Sequence, residues 1–112
     1  MDFQPGQIWK YRTREEEENS KVTIIEIDET ALHIYVDELN VTTPKGQKIK
    51  EVYIPIAPSA LVKSVTELAQ EQAPNYQARR KEWLESHDTR GQGFFTMELS
   101  QFLTALERAN SV

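Results

Sequence analysis

The sequence predicts an α+β domain in which an antiparallel sheet comes first and helices follow. In residues 7–56 apolar residues alternate with polar ones in short runs, and turn-forming segments separate these runs, as is typical of β-strands. From residue 58 onward, apolar residues recur at three- and four-residue steps, which indicates amphipathic helices. Strands followed by helices in one short chain favour a sheet that packs against those helices.

The composition limits the classes of partner and site. The 112 residues fit one domain, expected to span 1–112, and 18 acidic against 13 basic residues give a net charge of -5. This balance counts against nucleic acid, because phosphates require a cationic surface. The absence of cysteine excludes disulfides and thiolate metal sites. No apolar run reaches the roughly 18 residues of a membrane span, so we expect a cytoplasmic protein with no membrane partner.

The first two strands are predicted on either side of a glutamate run. Residues 7–14 alternate, with Trp9 and Tyr11 on one face and basic residues on the other. Four adjacent glutamates at 15–18 then repel one another and interrupt the strand. Residues 21–28 are rich in β-branched residues and apolar on both faces, which predicts a central strand buried on both sides.

Two more strands complete the predicted sheet. Residues 31–39 place His33 and Tyr35 on one face and aliphatic residues on the other, and residues 48–56 alternate in the same way. Short connections favour antiparallel neighbours, so residues 7–56 should form a four-stranded meander in sequence order.

Three helices are predicted after the sheet, at about 58–71, 75–87 and 97–109. Pro58 suits the first helical turn, where its missing N–H is not needed. Trp83 is the expected anchor of the second helix, whose apolar pattern is weaker.

The last helix carries a continuous apolar stripe that must dock on another part of the protein. The stripe consists of Leu99, Phe102, Leu103 and Leu106. Residues 94–96 suit a short edge strand. We therefore expect a four- to five-stranded curled sheet, or a small barrel if the sheet closes.

The sequence contains no motif for a cofactor, a metal or a catalytic group. The histidines His33 and His87 fall short of the three or four ligands that a metal site needs. The Gly-Gln-Gly at 91–93 lacks the spacing of a phosphate-binding loop. We therefore predict no cofactor and no metal, and the sequence leaves catalysis and the oligomeric state open.

The side chains that suit a binding surface are aromatic or cationic and lie on or next to the predicted strands. They are Trp9, Tyr11, Arg12, Arg14, His33, Tyr35 and Tyr53. The rings suit a recognition surface and also a core beneath the last helix, and we favour the core because the helical stripe needs such a partner.

Basic residues on two strands could likewise form a binding surface or serve the fold alone. Lys10, Arg12 and Arg14 share one strand face, and Lys48 and Lys50 share another. Combined, they would form a stripe for a nucleic-acid backbone or an acidic protein. We favour the alternative that these cations neutralise carboxylates across the sheet, namely those of Glu26, Asp28 and Glu51.

The glutamate run at 15–18 is interpreted as a mobile, solvated loop. Adjacent carboxylates cannot converge on one ion, and their repulsion opposes packing. Such a loop would speed association with a basic partner more than it would change stability.

Two segments carry a resemblance to known proteins. PGQIWKYRTR and the later YIPIAPSALVKS resemble a group of short bacterial proteins of uncharacterised function. PGQIW, followed by a charged loop and an apolar strand, is also similar to the start of the MazF/PemK-type endoribonuclease toxins, which share a small curled barrel. Those toxins enter the next strand through an Arg-Pro step, where this chain has Ser20, Lys21 and Val22, so we carry over no catalytic residue.

Two functions from different classes follow as hypotheses. The first is a non-enzymatic, acidic binding module whose partner is a protein, for example in an antitoxin or immunity role. Residues 1–57 support it with eleven acidic against seven basic side chains. The alternative is a small RNA-directed hydrolase of the MazF/PemK-like barrel type, with Arg12 and Arg14 on the phosphate and His33 as acid or base.

Overall fold

The computed structural model describes residues 3–15, 17–86 and 96–108. The strands in these residues are β1 (Ile8–Tyr11), β2 (Lys21–Ile27), β3 (Leu32–Val36), β4 (Val41–Thr42), β5 (Lys48–Ile49), β6 (Val52–Ile56) and β7 (Val65–Gln70). The helices are α1 (Pro58–Ser64), α2 (Tyr76–Ser86) and α3 (Leu99–Arg108). None of these three helices has the length and apolar character needed to cross a membrane.

Five strands form one antiparallel sheet in the order β6-β3-β2-β1-β7. Strands β1, β2, β3 and β6 are neighbours in sequence order, which confirms the meander predicted for residues 7–56. Strands β4 and β5 form a separate hairpin inserted between β3 and β6. In the described part of the chain, β6 and β7 are the two edge strands, so the sheet is open and does not close into a barrel. The predicted α+β class with a five-stranded antiparallel sheet is confirmed.

The helix predicted for residues 58–71 was wrong in its second half. Helix α1 ends at Ser64, and Val65 is already extended, with φ -75° and ψ 153°. The chain continues as β7 and pairs with β1, whose outer backbone groups would otherwise form an open edge. The β-branched residues Val65 and Thr66 favour this extended conformation. The fifth strand is therefore β7, and the strand predicted for 94–96 falls mostly outside the described residues.

The main core lies between one face of the sheet and helices α1 and α3. Strands β2 and β3 contribute alternate residues to it, and the α3 stripe is buried through Leu99, Phe102 and Leu103, with Leu106 partly buried beside them. Helices α2 and α3 lie within the ranges predicted for them. The last helix therefore docks through the stripe that its sequence predicts.

The opposite face of the sheet is covered by α2. A bulge in β2 makes Ile25 an extra residue between two regular pairs, and its side chain packs with Tyr35, Trp83 and the partly buried Tyr53. Polar contacts attach the helix as well, including a hydrogen bond of 2.9 Å from the Tyr76 hydroxyl to the Ile25 carbonyl. Strand β2 is thus buried on both sides, as its sequence predicts.

We expect Leu103→Ala to lower the free energy of unfolding by about 2–5 kcal/mol, because Leu103 is fully buried and its removal leaves a cavity. Chemical denaturation measures the change. As a matched control, Leu84→Ala removes an exposed leucine of α2 and should change stability by less than about 1 kcal/mol. Equal effects of the two substitutions would contradict the docking of α3 described above.

Candidate functional site

An open cleft of about 530 Å³ lies where the segment that follows β3 meets α2. Its walls consist of Tyr35, Asp37, Glu38, Leu39, Asn40, Lys50, Glu51 and Arg79. Three carboxylates and two cations share this lining with one aromatic ring, so the cleft is polar and slightly acidic.

An aromatic ring and a guanidinium meet on the α2 side of the cleft. The guanidinium carbon of Arg79 lies 4.3 Å from the centre of the Tyr35 ring, which is cation–π geometry. The Tyr53 ring packs beside it with the ring centres 4.9 Å apart. The Tyr35 hydroxyl donates a hydrogen bond to Glu51. Burial, and then this carboxylate, raise the pKa of Tyr35 above its ordinary value, so the hydroxyl remains a donor even in alkaline solution.

The opposite wall is the segment 37–40, whose backbone is held by several hydrogen bonds. The Asp37 carboxylate accepts the Lys21 N–H at 2.9 Å, and the Leu39 N–H donates to the Lys50 carbonyl at 2.9 Å. Between them Glu38 has a φ of 50°, in the left-handed region that residues other than glycine seldom occupy. These bonds hold the exposed Glu38 at the edge of the cleft.

Glu17 contradicts the interpretation of the glutamate run as a solvated loop. Its side chain has no exposed surface, and its two carboxylate oxygens accept hydrogen bonds from Arg14 Nε at 2.8 Å and Nη2 at 2.9 Å. The Asn40 N–H donates to the same carboxylate at 2.7 Å. The prediction was therefore wrong for Glu17, although Glu15 and Glu18 are exposed, and Glu16 lies outside the described residues.

The charge of Glu17 is stabilised by these donors. Burial by itself opposes ionisation, but the hydrogen bonds from Arg14 and from the Asn40 N–H outweigh it and lower the pKa of Glu17. Arg14 also donates to Glu107 of α3 at 2.5 Å, and a second cleft of about 390 Å³ lies between Arg14, Glu15, Asn40 and Glu107. Asn40 thus lines both clefts.

Trp9 and Tyr11 belong to the main core, as we favoured from the sequence. The Trp9 Nε1 donates to the side-chain oxygen of Gln7 at 3.0 Å, and the Tyr11 hydroxyl shares a hydrogen bond of 2.7 Å with Ser20. Their polar atoms are thus paired within the fold, which suits structural residues better than a recognition surface.

His33 is also buried and bonded within the fold. Its Nε2 lies 2.8 Å from Asp28 Oδ2, and its ring packs against Trp83 with the ring centres 5.1 Å apart. Asp28 accepts the backbone N–H groups of Thr30 and Ala31 as well. The hydrogen bond with His33, followed by these two, lowers the pKa of Asp28 to about 2. The pair therefore stabilises the turn between β2 and β3.

The predicted basic residues do not form one stripe. Lys10 lies 3.2 Å from Glu67 of β7, and the Arg12 guanidinium donates to the carbonyl of Lys63. Lys48 belongs to the separate hairpin, and Lys50 lines the cleft.

The carboxylates predicted to neutralise these cations have other partners. Glu26 pairs with Arg80 at 2.8 Å, Asp28 with His33, and Glu51 with the Tyr35 hydroxyl. The preference for neutralised cations was right for Lys10, which pairs with Glu67, and for Arg14, which pairs with Glu17 and Glu107, but the predicted partners were wrong.

The residues proposed for RNA hydrolysis lie at different ends of the sheet. Lys10 of β1 faces Lys21 at the start of β2, whereas His33 faces Glu26 near the end of β2. Arg12 follows β1 at the first of these ends, and five strand residues correspond to about 16 Å. Among the described residues there is also no group of three or more side chains suited to hold a metal ion.

Of the predicted binding residues, only Tyr35 lines the main cleft among the described residues, and Tyr53 packs beside its ring. Sequence reasoning missed the other residues that define this region, namely Glu17, Asp37, Glu38, Asn40 and Arg79. The sequence feature that could have indicated this site is Asp-Glu-Leu-Asn at 37–40, a mostly polar segment directly after a buried strand.

Comparison of the chain with protein-family models, with curated proteins and with solved structures found no match.

We expect Glu17→Gln to lower the free energy of unfolding by about 1–3 kcal/mol at pH 7, because the buried charge-assisted hydrogen bonds are weakened. The pKa of Glu17 is lower in the folded protein than its ordinary value of 4.5. The contribution of the ionised Glu17 to the free energy of unfolding is therefore complete above pH 4.5, and it is lost as the pH falls through the folded-state pKa. Denaturant titrations of both proteins from pH 7 downward measure this loss.

Glu15 is exposed and provides the control for this experiment. Glu15→Gln should change the free energy of unfolding by about 0.5 kcal/mol or less. A difference between wild type and Glu17→Gln that stays constant or grows towards acid pH would contradict the ionised, hydrogen-bonded state of Glu17.

Proposed function

We propose that this protein is a non-enzymatic binding module that recognises a basic protein through the cleft between the segment 37–40 and α2. The observation that carries the proposal is the convergence of Asp37, Glu38 and Glu51 on one open cleft in a chain of net charge -5. A preformed concavity in which three carboxylates outnumber two cations suits lysine or arginine side chains of a partner better than the phosphates of nucleic acid.

The carboxylates of the cleft keep acceptor capacity for such a partner. Asp37 uses one oxygen for the Lys21 N–H, and Glu51 uses one for the Tyr35 hydroxyl. An ionised carboxylate offers about four lone-pair sites, so sites remain on both groups. Glu38 is exposed at the edge of the cleft, where a basic side chain meets it first.

Binding is favoured over RNA hydrolysis by the contacts of the residues that hydrolysis would need. His33 is buried against Trp83 and bonded to Asp28, and Arg14 is engaged by Glu17 and Glu107. A general base has to reach a substrate proton within hydrogen-bonding distance, and a buried, bonded imidazole is poorly placed for this.

An antitoxin or immunity role is the concrete form of this proposal. In such pairs an acidic protein covers a basic surface of a toxin, and complementary charge speeds association. The acidic excess of residues 1–57 and the acidic cleft suit this task.

Affinity capture from an extract of the source cells tests the proposal, with wild type, Glu38→Lys and Glu71→Lys as baits. Glu71 is an exposed carboxylate that does not line the cleft, so its variant has the same net charge as Glu38→Lys. We expect wild type and Glu71→Lys to retain one stoichiometric basic protein and Glu38→Lys to retain much less.

With the purified partner, the Glu38→Lys variant should associate several-fold more slowly at low salt. The gap should narrow as salt screens charges beyond about 8 Å at 0.15 M. Recovery of RNA, or equal capture by all three baits, would contradict the proposal.

A further inference from the structure

Arg14 joins three parts of the chain that are distant in sequence. Its guanidinium donates to the Glu17 carboxylate through Nε and Nη2, to Glu107 of α3 through Nη1 at 2.5 Å, and to the Asn40 carbonyl through Nη2 at 3.3 Å. The planar guanidinium fixes the directions of these bonds, which a lysine ammonium in the same place would not do.

The backbone of Asn40 is held from both sides by this arrangement. Glu17 accepts the Asn40 N–H, and Arg14 donates to the Asn40 carbonyl. Asn40 lines the main cleft and the second cleft, and it follows Asp37, Glu38 and Leu39 in the wall of the main cleft. The Arg14–Glu17 pair therefore sets the end of the cleft wall without lining the main cleft itself.

Helix α3 reaches the same pair through its last turn. The helix is fixed at its other end, where the Leu99 N–H donates to Ser64 Oγ at 2.9 Å, and its stripe is buried in the main core. Glu107 extends from this rigid helix to Arg14, with 35% of its side chain exposed. A shift of α3 would therefore act on Arg14 directly.

We propose that Arg14 and Glu17 form a positioning pair that holds the cleft wall at Asn40, and that Glu107 makes this position depend on the docking of α3. The coupling is a property of the fold alone. Its effect on partner affinity rests on the proposed function, since it assumes that the main cleft is the binding site. Loss of the Glu107 contact would then weaken binding although Glu107 lies outside the main cleft.

Amide hydrogen exchange at Asn40, followed by NMR, tests the coupling without any partner. In Glu107→Ala the Asn40 N–H should exchange about tenfold faster, because its acceptor Glu17 is held less firmly when Arg14 loses a charge-assisted bond. The Ile24 N–H, bonded to the Gln7 carbonyl in the sheet, should keep its rate. Gln101→Ala, at an exposed position on the same helix, is the control and should change neither rate.

An unchanged Asn40 rate in Glu107→Ala, or an equal acceleration at Asn40 and Ile24, would overturn the proposal. A double mutant provides a second readout. If Glu107 acts through the pair, Glu107→Ala should speed exchange at Asn40 much less in a Glu17→Gln background, whereas full additivity would overturn the coupling. Neither result depends on a partner, so failure of the proposed function and failure of this inference are distinguishable.

Discussion

A carboxylate without exposed surface must have its charge and its acceptor sites satisfied by the protein, and Glu17 imposes this constraint on three parts of the fold. The turn at 14–17 brings Arg14 onto both of its oxygens, the segment after β3 supplies the Asn40 N–H, and α3 brings Glu107 to the other side of Arg14. Removal of Arg14 would leave the buried charge of Glu17 without its ion-pair partner, which is costly. The glutamate run, the cleft wall and the last helix are therefore parts of one arrangement.

The sheet connects this arrangement to the core. Alternation along β3 sends Ile34 into the main core and Tyr35 to the opposite face, where Arg79 and Tyr53 pack against its ring. The same strand thus contributes to stability and to the cleft. Helix α2 carries Arg79 into place although it has no apolar stripe, because Trp83 and several polar contacts hold it on the sheet. One side of the cleft is accordingly carried by β3 and α2, and its other wall, the segment 37–40, is held by the hydrogen bonds of its backbone and of Asp37.

Local patterns in the sequence predicted those features of the fold that depend on residues close together along the chain. The alternation in the strands and the stripe at Leu99 and Phe102 are visible because each face repeats within a few residues. The strand at Val65–Gln70 was missed because its pairing with β1 involves residues more than fifty positions away, and its three apolar residues, Val65, Leu68 and Ala69, fit a helix equally well. The burial of Glu17 was missed because one of its donors, Asn40, lies 23 residues further along the chain. A contact between two residues so far apart along the chain leaves no periodic pattern in the sequence.

The turn at 14–17, the cleft wall and α3 all depend on the burial of Glu17 in its ionised form. The most direct measurement is an NMR titration that follows the Glu17 carboxyl carbon from pH 7 to the acid limit of the folded state. The structure requires a pKa below the ordinary value of 4.5, because the bonds from Arg14 and Asn40 outweigh burial. A pKa above 4.5 would show that burial outweighs these donors, and it would contradict the account of the turn, the cleft wall and α3.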